Sequence, residues 1–271
     1  MLYPETRYDP ARHRLVLVHI RKTAGTSLGR MLSAAFGEPL TELIEEGTHA
    51  RADRGLLRLH RRVRHGVLAA RRRAAIAVAR RLGRPAWRAA EAPYVAGHFL
   101  LGQEPPGDRA PLYVTLVRDP VDRLVSDYWF MRKKGDRSRG DALDPRLYDL
   151  DLPGFADAIL ADPGLYRDNL QTRTLAGAAD RAALAEAVDK RLWLAAATDQ
   201  FPALARRLGE AIGRDLGAPL SAKRNAARPA ETGLDPGRTE ALAALNTLDT
   251  ELVGRIRADF AALDAELSAK G

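Results

Sequence analysis

The chain has 271 residues, 46% of them apolar and 29% charged, with no cysteine and a net charge of +8. Such a composition describes a soluble globular protein with one sizeable core; it excludes disulfides, thiolate nucleophiles and cysteine-ligated metals, and it points to anionic partners. The apolar runs are strand-length, and the opening MLYPETRYDPARHR has no apolar core, so neither a membrane span nor a signal peptide is read and a cytoplasmic location is expected.

The first element is a run of branched apolar residues, Leu15 to Val18, which reads as a buried strand and breaks at Lys22-Thr23-Ala24-Gly25-Thr26-Ser27 into a helix. Leu28, Met31, Leu32, Ala35 and Phe36 share one face of that helix, and Gly37 is placed to stop it. A strand that turns into a helix start can hold an anion, because the first helical N–H groups lack internal partners and the dipole adds partial positive charge. Gly25 permits close approach, Thr26 and Ser27 add hydroxyl donors, and Lys22 adds a full charge. Lys22 precedes the glycine, so this is not the Walker A pattern, and taken alone the stretch also describes an ordinary strand-to-helix turn.

Residues 45–92 differ in character. Thirteen arginines lie between Arg51 and Ala92, against only Asp53 and Glu91. Apolar positions such as Leu56, Leu59, Val63, Ile76 and Leu82 suggest two short amphipathic helices, read either as a solvated face or as a landing surface for an anionic polymer or a membrane.

Strand signals resume at Pro93–Phe99 and at Pro111–Arg118. The second leads into a helix with Asp119 as N-cap, Pro120 at the first position and Asp122 at the third. Further helices are expected around Gly154–Leu160, Leu165–Leu175, Asp180–Lys190 and Asp199–Ile212, with a last strand at Leu192–Ala197. A basic loop follows over Lys223–Pro236, then a terminal helix over Arg238–Leu267 broken near Asn246. The expected architecture is one α/β domain over residues 1–271, a P-loop-like open parallel sheet flanked by helices, with residues 45–92 as an Arg-rich helical insertion.

Lys22, His98 and Arg118 each follow a strand, and in an open parallel sheet such positions line one crevice at the strands' carboxyl ends. Arg118 and Ser126, at the start of the same helix, form a phosphate clamp. Two anion sites imply a ligand with two separated anionic groups.

The pair Lys22–Leu28 and Val117-Arg118-Asp119-Pro120-Val121-Asp122-Arg123-Leu124-Val125-Ser126-Asp127-Tyr128-Trp129 resembles the signature of the glycan sulfotransferases, particularly the branch with the heparan and uronyl 2-O-sulfotransferases and their bacterial relatives. The resemblance implies the donor 3′-phosphoadenosine 5′-phosphosulfate, released as adenosine 3′,5′-bisphosphate. It places the 5′-phosphosulfate on Lys22, Thr23, Ala24, Gly25, Thr26 and Ser27, and the 3′-phosphate on Arg118 and Ser126. Gly97-His98-Phe99 resembles the element whose His is the general base, Asp168–Arg173 resembles a shared stretch, and Lys223-Arg224-Asn225 resembles the loop closing over the nucleotide. Arg21 stands where the family usually has proline. Lys22 and His98 are then the catalytic pair, with no metal required. The acceptor would carry a free hydroxyl, a carbohydrate with acidic polysaccharides among the candidates rather than a nucleic acid, with Arg51–Arg88 as the segment to meet a polyanion or a membrane surface. The alternatives are a P-loop nucleotide kinase and a non-catalytic nucleotide- or polyanion-binding protein.

Overall fold

A computed structural model describes residues 1–37, 42–44, 92–104, 107–134, 147, 149–166, 168–218 and 233–270. The expected insertion at 45–92, apart from Ala92, and the basic loop carrying Arg224 and Asn225 lie outside the described residues.

The strands are β1 (His13–Val18), β2 (Glu42–Ile44), β3 (Tyr94–His98), β4 (Ala110–Val117) and β5 (Leu192–Ala197). They form a sheet in the order β2-β3-β1-β4-β5 in which every neighbouring pair is parallel. The helices are α1 (Gly25–Phe36), α2 (Pro120–Lys134), α3 (Leu152–Ala161), α4 (Leu170–Ala176), α5 (Arg181–Lys190), α6 (Phe201–Ile212), α7 (Pro236–Leu245) and α8 (Thr247–Lys270). The fold is therefore α/β, a parallel sheet flanked by helices.

Alternation along the strands explains the layers, because successive side chains point to opposite faces. Leu15, Leu17, Val114 and Leu116 pack with Leu28, Met31 and Leu32 of α1 and Leu204 and Leu208 of α6. Val16, Val18 and Val117 pack with Leu175 of α4, Leu184 and Val188 of α5, and Leu252 and Ile256 of α8. A third cluster joins Leu124, Val125 and Tyr128 of α2 to Phe155 and Ile159 of α3 and Leu242 of α7.

Local signals act where expected. Asp119 Oδ1 accepts the Asp122 N–H at 2.9 Å at the start of α2, and Gly37, with φ 67°, closes α1. The terminal helix breaks at Asn246, between α7 and α8.

One element goes beyond the expectations and one expectation needs correction. Strand β2 was not legible, since three residues carry no periodicity and its place beside β3 is a matter of long-range pairing. The helix expected over Leu165–Leu175 begins only at Leu170, after a separate 3-10 turn at Pro163–Leu165. Asn169 takes a left-handed φ of 44° because it is held from the far end of the chain: its N–H donates to Asn246 Oδ1 at 2.9 Å, and its Oδ1 accepts the Asp249 N–H at 3.1 Å. Asp249, fully buried, then accepts the N–H groups of Gln171 (3.1 Å) and Thr172 (2.7 Å). Replacing Asp249 with Ala leaves these first-turn donors of α4 buried without an acceptor. Urea unfolding should show a loss of about 1–3 kcal/mol, the cost of an unsatisfied buried donor.

Candidate functional site

The strand order positions the site. The chain leaves β1 through α1 toward the β2–β3 side, whereas β4 leads on to β5 on the other side. Connections that diverge from neighbouring parallel strands open a crevice at their carboxyl ends, and the β1–α1 and β4–α2 junctions meet there.

The first junction, His19 to Ala24, is a strained loop. Lys22 and Ala24 both adopt left-handed backbone, with φ of 64° and 63°, a conformation costing an L-residue roughly 1–2 kcal/mol. Such strain persists only where neighbours determine it, and three ties do so. The Thr23 hydroxyl, buried, donates to Ile20 O at 2.9 Å. Arg118 Nη1 donates to Lys22 O at 3.3 Å, and Arg21 reaches α2, donating to Asp127 Oδ1 at 2.8 Å. The strain thus sets the backbone ahead of α1 in one shape, with the helix start beyond it, where the Ser27 N–H already donates to Ala24 O at 3.0 Å. Thr26 is exposed there and Ser27 half-buried. The Thr23 hydroxyl is committed to Ile20, which leaves its main chain as the group it can offer an anion.

Arg118, next after β4, is fixed through its backbone. Its N–H donates to Gln171 Oε1 at 2.8 Å and its carbonyl accepts from Gln171 Nε2 at 2.7 Å. The buried Gln171 side chain therefore acts as a further strand rung, and Asp249 fixes Gln171 in turn. The guanidinium reaches both Lys22 O and Asp122 Oδ2, the latter at 3.6 Å and largely in solvent. Lys22 and Arg118 are thus brought together across the crevice. Lys22 Nζ rests 3.9 Å from the centre of the Phe130 ring on α2, a cation–π contact that an entering anion can replace. Ser126 is half-buried on the second turn of α2.

His98 closes the site from β3. Its Nδ1 lies 2.6 Å from His19 O. A carbonyl only accepts, so Nδ1 carries the proton and Nε2 of the neutral ring keeps its lone pair. The His98 and His19 rings stack at 4.2 Å between centroids with planes 28° apart.

Several contributors lie outside the sequence-derived set. Behind the loop, Asp127 accepts from Arg21 and, through Oδ2, from the Tyr166 hydroxyl at 3.0 Å, while Tyr166 accepts from Arg123 Nη1 at 2.9 Å. Arg123, Asp127 and Tyr166 are buried. Burial pushes the Asp127 carboxyl up, but the Arg21 guanidinium outweighs it and, with Arg123 and Lys22, holds the group below the usual carboxylate range. Burial likewise raises the Tyr166 phenol, which keeps its proton for Asp127. The helical spacing of Arg123 and Asp127 was the available signal for this network; Gln171 lay in the Asp168–Arg173 stretch with no role attached, and His19 and Phe130 carried no signal.

No protein-family model matches the chain, and no curated protein matches its sequence.

Proposed function

We propose that the protein is a sulfotransferase that moves a sulfuryl group from 3′-phosphoadenosine 5′-phosphosulfate to a hydroxyl of an acceptor, a carbohydrate by preference, using a P-loop-like anion site. The observation that carries the reading is the meeting of Lys22, Arg118 and His98 at one sheet edge, around a strained loop that precedes a helix start. The residues fit a bisphosphorylated nucleotide. Two cations stand at separate strand-to-helix junctions, each with a helix amino terminus beside it. When bound, the nucleotide supplies the activated sulfuryl group.

The chain's own residues then divide the work. Lys22, the amides of Gly25 and Thr26 and the Ser27 hydroxyl neutralise charge on the phosphosulfate end, and Arg118 with Ser126 holds the 3′-phosphate. His98 Nε2 accepts the proton of the attacking hydroxyl, while its Nδ1–H stays on His19 O. Arg224 and Asn225 would close over the nucleotide, and an acidic polysaccharide would track along Arg51–Arg88. A non-catalytic nucleotide binder would use the two cations but has no need of a histidine held beside them by His19 O, which favours catalysis.

The test is calorimetry on two nucleotides. Adenosine 3′,5′-bisphosphate should bind tens of times more tightly than adenosine 5′-monophosphate, since a charged hydrogen bond contributes about 1.5–3 kcal/mol. Arg118→Ala should erase most of that preference. Equal affinities in the wild-type protein would remove the basis of the assignment. Turnover should also persist in a chelator, where a magnesium-dependent P-loop kinase would stop.

A further inference from the structure

We infer that His19 is a positioning residue, which holds the His98 ring in one orientation and sets its distance from the start of α1; the inference rests on the reading of His98 as the base. His19 is 7% exposed and touches the Gly97-His98 element in three ways. Its N–H donates to Gly97 O at 2.9 Å, its carbonyl accepts from His98 Nδ1 at 2.6 Å, and its ring stacks on the His98 ring.

These contacts do different things. The hydrogen bond at Nδ1 selects the tautomer only while the ring stays aimed at His19 O; by itself it lets the imidazole tilt, which weakens that bond and swings Nε2 away from an acceptor hydroxyl. A flat partner at 4.2 Å removes that freedom. General-base catalysis depends on it, because displacement of a reacting group by about 1 Å can cost on the order of 10²-fold in rate.

The same ring meets α1. A Cβ added to Gly25 would lie 2.0 Å from His19 Cδ2 and 2.6 Å from both Cγ and Nε2. Gly25, the first residue of α1, therefore lacks a side chain because the His19 ring occupies its place. His19 touches both the helix start proposed for the phosphosulfate and the base proposed for the acceptor, and so it acts as the spacer between them. Any residue at position 25 with a Cβ would shift the ring and carry His98 with it.

The experiment uses the full chain, labelled with ¹⁵N-histidine, in four forms: wild type, His19→Phe, His19→Ala and Gly25→Ala. Ring ¹⁵N–¹H correlation spectra, with the His98 signals identified by their loss in His98→Asn, report the tautomer. Wild type and His19→Phe, which keeps a flat ring, should show His98 protonated at Nδ1 alone; His19→Ala and Gly25→Ala should show mixed tautomers. On sulfuryl transfer, His19→Ala should lower kcat by about 10–10²-fold with bisphosphate affinity unchanged, and His19→Phe should recover most of it. The Gly25→Ala defect should be partly relieved in the Gly25→Ala/His19→Ala double variant, where the obstructing ring is gone. Identical tautomers and rates in His19→Ala and His19→Phe would overturn the inference, as would a Gly25→Ala protein with an unmoved His98 signal. A wild-type protein that neither binds the bisphosphate nor transfers sulfate sinks the proposed function instead, and the ring spectra still decide whether His19 orients His98.

Discussion

Replacing His98 with Ala is expected to depress kcat by roughly 10²–10⁴-fold, the usual size of general-base assistance, while adenosine 3′,5′-bisphosphate binds as it does to the wild type. The split follows from where the side chain sits. His98 ends β3 and bonds to His19 O, whereas the nucleotide is assigned to the β1–α1 and β4–α2 junctions. A loss confined to kcat marks an interaction made in the transition state. Lys22→Ala, by contrast, should weaken nucleotide binding and slow turnover together, since its charge serves both. Steady-state kinetics with labelled donor, alongside calorimetry, separate the two patterns. Unchanged turnover in His98→Ala would leave the histidine as a packing residue on His19.

The second large effect concerns stability. Asp127→Ala should cost about 3–5 kcal/mol, the range for breaking a buried ion pair, because Arg21 would lose the carboxylate it is bonded to and Arg123 would keep Asp249 but lose Asp127. The melting temperature should fall by on the order of 10 °C. The loss extends to the site, because the tie from Arg21 to α2 is one of those that hold the strained loop around Lys22. Acid should reveal the same pair. The folded-state pKa of Asp127 is lowered, so its contribution is fully present above the unfolded value of about 4 and is lost as pH falls through the lower folded one. Below about pH 4 the stability gap between wild type and Asp127→Asn should therefore narrow, which urea titrations across that window would register. A cost under about 1 kcal/mol at neutral pH would mean that water, not Asp127, compensates the two arginines.

Much of this arrangement is written locally. The alternation of Leu15, Val16, Leu17 and Val18 dictates a strand buried on both faces, the Asp119-Pro120 pair starts α2, and Gly37 stops α1, each through contacts within a few residues. Parallel strands bring Lys22, His98 and Arg118 to one edge of the sheet, a convergence that the strand pattern already carries. The tertiary structure alone decided what orients those residues. Arg21 and Asp127 are 106 positions apart, and His98 and His19 are 79 apart. No periodicity encodes such a meeting, because it depends on the order in which strands pair. The break before Asn169 has the same origin. Locally the stretch favours a continuous helix, and hydrogen bonds donated to Asn246 and Asp249 override that preference in a buried setting where every donor must find an acceptor. The sequence alone determined which groups reach the crevice; the fold decided how each is held, because positioning rests on contacts between segments that the chain keeps far apart.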